Sequence, residues 1–449
     1  MNVAIVGYGE QGRSSFDYWF GQANVVVVCD QNSDLELPPG AIDKLGVGYL
    51  ENLHQFDLIV RSPSVHPKTI IEANPDHPDI INKITSNTEE FFNVCKAPII
   101  GVTGTKGKGT TSTLIARILE ESGRKVHVGG NIGTPPLDLL KNTIAEDDYV
   151  VLELANFQLI DMKHSPHVAV CLMIAEEHLN WHADMYEYIH AKQQIFAHQK
   201  PGDTAVYNAK NTYSTEIATA SPAHIKISYD APNDVSEPVE FTDGVYVDGD
   251  HIKIRGKNVI SVQDVKLLGR HNLQNVCAAI AATWDLIDHN TNIIKKVIKN
   301  FSGLPNRLEL VEVKSGMSFY NDSFASAPGA LVAGLDALKT VPKVLIVGGF
   351  DRMLNLTEMT EALVDHTNDI RKVLLIGESA QRVAEACKAA GFANFQISEA
   401  KTMNAIVSEA TSLAASGDAV VLSPGFASFD MFKNFEDRGN QFRESVRAL

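Results

Sequence analysis

Residues 98–121, PIIGVTGTKGKGTTSTLIARILEE, decide the fold. A short β-branched run enters a turn containing Gly104, Gly107 and Gly109, and the chain leaves that turn as an amphipathic helix. Strand, glycine turn and helix in that order bring backbone N–H groups and a helix N-terminus to one spot, which favours an anion. Lys108 can reach outer phosphates there, and Thr110 offers a hydroxyl one position beyond Gly109. The common phosphate-loop spacing G-x-x-x-x-G-K-[ST] is nevertheless not met, because Val102 stands where a glycine belongs and Gly109 where a hydroxyl residue belongs.

Working outward from this stretch, the same alternation recurs along the chain. NVAIVGYG, NVVVVCD, DLIVRSPSV, DDYVVLELA, HVAVCLMIAEEH, KVLIVGGFDR, KVLLIGES and DAVVLSPGFAS are short apolar runs separated by helical patterns. That is the signature of mostly parallel sheets covered by helices, an α/β fold. The 449 residues exceed one core, and about 100–200 residues per domain suggests three domains. We place them at 1–95, 96–302 and 303–449. The first boundary follows the helix pattern TEEFFNVC, and the second falls where Gly-Leu-Pro in FSGLPNRLEL breaks the preceding helix. Between roughly 205 and 265, short strands with Asp-Gly turns read as a small β-rich insertion in the central domain.

A net charge of -16 argues against a large nucleic-acid footprint, so an anionic substrate must be held by local groups. Five scattered cysteines without a CxxC pair read as reduced core residues and point to the cytoplasm. MNVAIVGYGEQG reads as a strand and glycine turn, not a leader, and no run is long enough for membrane insertion.

In parallel sheets, ligands bind beyond the carboxyl ends of the strands. This singles out Asp30, Glu153, Glu176, Glu177, His178, Asp351, Arg352 and Ser423. Gly7, Gly9 and Gly12 fit G-x-G-x-x-G, with Asp30 ending the next strand, a pattern that serves either a nucleotide or merely a tight turn. Glu153 closes an apolar strand, where a buried carboxylate needs a partner or a metal, and magnesium is plausible beside a triphosphate. His178 and His182 stand at i and i+4, yet without the Glu of H-E-x-x-H or a third ligand nearby they argue against zinc. Lys192 would by default be a solvated surface lysine.

Several stretches together resemble the Mur ligase family: TGTKGKGTT, VGGNIGTPPLDLL, LELANFQL, EEHLNWH with HAKQQIF, LLGRHNLQNVCAAI, FSGLPNRLELV, FYNDS, IVGGFDR and LSPGFASFDMFKNFEDRGNQF. The resemblance implies Rossmann-like first and last domains around a P-loop-type ATPase domain, with ATP and Mg2+ as cofactors. It implies UDP-N-acetylmuramoyl-L-alanine and glutamate as substrates, D-glutamate being the expected acceptor, and a monomer that forms an acyl phosphate. The first domain would bind the nucleotide sugar, the second ATP, and the third the amino acid while closing over ATP.

By the same resemblance, Gly104, Thr105, Lys106, Gly107, Lys108, Gly109, Thr110 and Thr111 cradle ATP, Asn272 and Asn275 meet adenine, and Arg307 and Asp322 serve the phosphate and ribose side. Thr110, Glu153, His178 and a carbamylated Lys192 would face metal. Gly9, Glu10, Gln11, Asp30, Ser62 and Asn131 would meet the nucleotide sugar, and Ser326, Arg352, Ser428 and Phe435 the amino acid. The chain departs from the family at Phe324-Ala325-Ser326-Ala327-Pro328, where Lys-Ala-Thr-Asn is usual, at Ser62-Pro63-Ser64, where Ser-Pro-Gly is usual, and at Gly109. The first departure leaves L-glutamate as an alternative acceptor, and the Gly-Lys-Gly form of the loop leaves a folylpolyglutamate synthase-like enzyme as another. An NAD-linked dehydrogenase and a non-catalytic nucleotide-binding relative are the readings from other classes.

Overall fold

The computed structural model describes residues 1–131, 133–231, 243–267, 269 and 271–449, apart from the side chain of His271. Residues 232–242 of the β-rich segment lie outside the described residues, as do Ile132, Leu268 and Arg270 of the stretches quoted above.

Three sheets carry the chain, and interior strands such as Asn2–Val6, Ile99–Thr103 and Lys343–Gly348 are buried on both faces, as expected where helices cover a parallel sheet on both sides. In the first, Asn2–Val6 lies between Val25–Asp30 and Leu58–Arg61, with Ile42–Leu45 and Ile84–Ser86 at the edges, and all neighbours are parallel. Val3, Ala4, Ile5 and Val6 are wholly buried, which explains the uninterrupted apolar run.

The second sheet has nine strands among the described residues. Ile99–Thr103 sits inside it between Tyr149–Glu153 and Val168–Cys171, both parallel to it. The short strands expected near 205–265 are continuous with this sheet. Thr204–Asn208, Ile225–Asp230 and Gly244–Asp248 extend it in parallel, and His251–Ile254 and Lys257–Ser261 finish it antiparallel.

In the third sheet, Glu309–Lys314 pairs antiparallel with Met317–Asn321. Ala419–Leu422, Lys343–Gly348, Ile370–Ile376 and Phe395–Ile397 follow in parallel. The last helix, Phe435–Ala448, buries Phe442 and Val446 on this sheet. Lys314 Nζ donates to the terminal carbonyls of Val446 (3.0 Å) and Arg447 (2.6 Å), where a cation complements the helix dipole.

The chain forms two compact units, Met1–Val265 with His271–Lys299, and Lys266–Arg270 with Asn300–Leu449. The first contains two sheets because polar groups lock them together. Buried Asn87 accepts from Leu137 N at 3.1 Å and donates to Ser14 and Ser15 hydroxyls at 3.1 and 3.0 Å. Gln158 Nε2 donates to Thr88 Oγ1 at 3.0 Å, and Arg61, wholly buried, pairs with Asp161 (Nε to Oδ2, 2.6 Å). Among the described residues, no helix is long and apolar enough to cross a membrane. The five cysteines are all free.

Candidate active site

The buried strand Ile99–Thr103 delivers the loop that begins at Gly104, and the helix Lys108–Glu121 follows with Gly107 as its N-cap. Both glycines have positive φ, +154° and +89°. A Cβ at Gly104 would lie 2.6 Å from Leu172 Cβ, and one at Gly107 would collide with Asn275 Oδ1. The loop therefore needs glycine for its backbone shape and for the close approach of its neighbours. A glycine N-cap offers no side-chain acceptor to the first-turn N–H groups, an arrangement that suits an incoming anion.

Two lysines meet on one carbonyl. Lys108 Nζ arches back to donate to Gly104 O and Thr105 O, each at 3.0 Å. Lys192, on the helix Met185–Ala197, is not a surface lysine: it is 1% exposed and donates to the same Gly104 O at 3.0 Å and to Thr103 Oγ1 at 3.4 Å. Burial, then the charge of Lys108, pushes the Lys192 amine down to about 7. Thr105 is spent inside the scaffold, its Oγ1 lying 3.1 Å from Ala175 O and 3.0 Å from Tyr188 Oη. Lys106 is exposed, Gly109 and Thr110 are half-buried, and buried Thr111 donates to Asn275 Oδ1 at 3.4 Å. Asn275 thus touches the phosphate loop itself, and its Nδ2 donates to Asn272 Oδ1 at 2.8 Å.

Glu153 ends the strand beside the loop strand, in register with Val102, and is buried. Its Oε1 accepts from Asn131 Nδ2 at 3.2 Å, and its carbonyl accepts from Asn131 N at 2.8 Å. His178 has φ +60°, a left-handed conformation that costs a non-glycine residue roughly 1–2 kcal/mol. Burial holds its imidazole below the ordinary value; the charges of Lys192 and Lys108 add to that against the opposing pull of Glu177. It is consequently a neutral ring, fit to be a ligand. The i, i+4 pair seen in the sequence lies in a turn and not on a helix. His182 is buried, with Nε2 2.7 Å from the Asn156 amide and Nδ1 3.2 Å from Glu187.

The glycine turn of the first sheet is organised differently. Gly7 packs on Ser62, whose hydroxyl donates to Gly7 O at 2.5 Å. Asp30 accepts from Tyr8 N at 2.7 Å and Asn32 N at 2.9 Å. Ser62 and Asp30 therefore hold the turn together. Gly9 and Glu10 are exposed, and the buried Oε1 of Gln11 has no hydrogen-bond partner.

In the second unit, Asp322 is buried and accepts from Leu308 N (3.1 Å) and Ser423 Oγ (2.8 Å), and burial pushes its carboxyl up to about 7. The Arg307 guanidinium lies 3.9 Å from the Phe324 ring centroid, and Phe324 meets Phe435 edge-on at 5.2 Å. The departure at Phe324 therefore stacks on an arginine instead of supplying a charge. Arg352 Nη2 donates to Ser326 O at 2.5 Å. Buried Ser428 accepts through its carbonyl from Phe432 N at 2.9 Å. Arg438 is not among the residues singled out from the sequence. It is wholly buried and donates to Ser323 Oγ, Ser323 O, Phe426 O and Ala427 O at 2.9, 2.8, 3.1 and 3.3 Å, fixing the loop that leads to Ser428.

A parallel sheet that delivers a glycine loop, two converging lysines and a strand-end carboxylate to one helix N-terminus defines a P-loop-type α/β enzyme. The Mur ligase middle domain matches residues 102–283 and the glutamate ligase domain of Mur ligases matches residues 306–426. The chain belongs to the Mur ligase family. It is 35% identical to the UDP-N-acetylmuramoylalanine–D-glutamate ligase of Clostridium botulinum, over 100% of this chain and 96% of the relative. With the same-named enzyme of Acetivibrio thermocellus it shares 36%, at the same coverage. Among solved structures, the UDP-N-acetylmuramate-alanine ligase MurC of Thermotoga maritima shares the fold at TM-score 0.59 and 16% identity, over 100% of this chain and 99% of that one. MurF ligase of the same organism, in complex with ADP, gives 0.58 and 16%, over 100% and 95%.

Proposed function

We propose that this protein is an ATP-dependent ligase that joins glutamate, in its D form, to UDP-N-acetylmuramoyl-L-alanine in peptidoglycan synthesis, working as a cytoplasmic monomer. Segments 1–95, 96–302 and 303–449 would serve the nucleotide sugar, ATP and the amino acid. Full-length identity to D-glutamate ligases supports the substrates. The observation that carries the chemistry is the meeting of Lys108 and Lys192 on Gly104 O.

The γ-phosphoryl of ATP passes to the alanine carboxylate of the sugar substrate, giving an acyl phosphate and ADP. The glutamate amine attacks that carbonyl, loses a proton, and phosphate leaves as the amide forms. Lys108, close to the helix N-terminus, can turn from the loop carbonyls to the transferring phosphoryl group. Asn131, adjacent to Glu153, suits the substrate carboxylate.

The donor set fits magnesium in part: Glu153 supplies a hard oxygen and His178 a neutral ring, but an ammonium at Lys192 would repel the ion. An amine pushed down to about 7 is nucleophilic at neutral pH and can take up CO2 as a carbamate with loss of a proton, becoming an oxygen donor. Magnesium held by Glu153, His178 and that carbamate, with Thr110 the nearest loop hydroxyl in sequence, would neutralise charge developing on the phosphates. The half-reaction tests the scheme. With ATP and UDP-N-acetylmuramoyl-L-alanine but no glutamate, borohydride should trap a reduced sugar-alaninol product. Its absence, with ligation intact, would overturn the acyl phosphate.

A further inference from the structure

Three residues of the first sheet's domain, Arg61, Ser64 and His66, reach the turn that carries His178 or the Phe157 segment beneath it. That turn, His178 to His182, holds its strained φ of +60° by folding back on itself: His178 O accepts from both Trp181 N and His182 N at 3.0 Å. Such conformations persist only where the surroundings over-determine them. Below the turn, the Phe157 ring packs against His178 and Trp181, each at 4.8 Å, and Phe157 O accepts from Arg61 Nη2 at 2.9 Å. Beside it, Trp181 Nε1 donates to Ser64 O at 3.3 Å, and the Trp181 ring packs on His66 at 4.4 Å. At its end, Glu187 accepts from Ala183 N at 2.9 Å and faces His182 Nδ1 at 3.2 Å and His66 Nε2 at 3.4 Å.

His66, His182 and Glu187 are the one group among the described residues with the makings of a metal site, their ligand atoms lying within 4.8 Å of one another. The hydrogen bonds favour a latch instead. His66 Nδ1 accepts from Lys68 N at 3.1 Å as the cap of the helix Pro67–Glu72, so the neutral ring carries its proton on Nε2 and points it at Glu187. To bind a metal through Nε2, the ring would have to give up that cap.

We infer that the segment Arg61–His66 is a positioning element for His178: the nucleotide-sugar domain holds the metal-facing histidine of the ATP domain in place. The segment also contains Ser62, which closes the glycine turn of the first sheet through Gly7 O. One stretch of chain thus joins the expected sugar site to the expected metal site. Occupancy of the first site, by ordering this segment, should tighten cation binding at the second, and by linkage the reverse then holds to the same degree.

The inference rests on the proposed role of His178, and the experiment separates the two. Mn2+ affinity is read by electron paramagnetic resonance with a non-hydrolysable ATP analogue present, with and without UDP-N-acetylmuramoyl-L-alanine. His178→Ala should weaken Mn2+ strongly, and His66→Ala by roughly 10-fold, the usual scale for an outer-shell partner. The nucleotide sugar should tighten Mn2+ in the unaltered protein but not in His66→Ala. Trp181→Phe keeps the ring stack and loses only the bond to Ser64 O, so it should weaken Mn2+ by roughly 2- to 3-fold, the low end for one hydrogen bond, while folding normally, and it carries the test if His66→Ala does not fold. Weakened binding in His178→Ala with unchanged binding in both latch variants overturns the inference and leaves the role of His178 standing. Unchanged binding in His178→Ala overturns both.

Discussion

The two glycine turns of the first unit follow the same plan, strand then turn then helix, yet they answer to different demands. At Gly12 the missing side chain makes room for the turn itself, since a Cβ there would run into Gly7 O, and at Gly7 it makes room for Ser62, whose Cβ lies 2.9 Å from where a side chain would begin. Ser62 and Asp30, both expected as ligand contacts, spend their oxygens on that turn. At Gly104 and Gly107 the room is taken by Leu172 and Asn275, which come from other elements, and two lysines converge on the loop carbonyl. What separates the two turns is charge of one sign: the first is closed by a hydroxyl and a carboxylate, and the second gathers two amines on one carbonyl.

Attacking the charged turn should have the largest effect. Lys192→Ala should abolish ligation; bicarbonate should not rescue it, whereas a small carboxylate should do so partially, since it can stand in for the carbamate oxygens. Full activity in this variant would remove Lys192 from the site. Gly107→Ala comes next, because a left-handed φ and the collision with Asn275 both oppose it. It should cost roughly 10- to 100-fold in ATP affinity, about 1.4–2.8 kcal/mol, measured by nucleotide titration. Gly12→Ala should instead lower the urea midpoint and leave ATP affinity unchanged, whereas Gly9→Ala, with open space around it, should shift stability by no more than about 0.5 kcal/mol.

A smaller effect comes from the second unit. With the Asp322 carboxyl pushed up to about 7, the folded state binds more protons than the unfolded one between about pH 4 and pH 7. The stabilisation is fully present at the low end and fades as the pH rises to 7. Urea midpoints across that window should show the slope, and Asp322→Asn should flatten it. The least change is expected from Thr110→Val: a raised magnesium requirement if this hydroxyl replaces the one lost at Gly109, and an unchanged one if it does not.

Most of the architecture was legible because buried parallel strands read as unbroken apolar runs, and because the loop at 101–111 combines glycine, lysine and hydroxyl at fixed spacing. Glu153 was legible as a carboxylate at the end of such a run. Lys192 read as a surface residue because the pattern MYEYIHAKQQIFA does not reveal which face is buried; its partner, Gly104 O, lies far away in the chain. His66 and Arg438 left no trace for the same reason. Their bonds go to groups that only the tertiary fold brings near, and neither a capping histidine nor a helical arginine announces burial.

The most direct test is phosphate release with ATP, magnesium and UDP-N-acetylmuramoyl-L-alanine, comparing D-glutamate with L-glutamate. Release matched by formation of the D-glutamyl product, and far slower with L-glutamate, is the predicted result. Equal or preferential use of L-glutamate, or no release with either, would contradict the assignment.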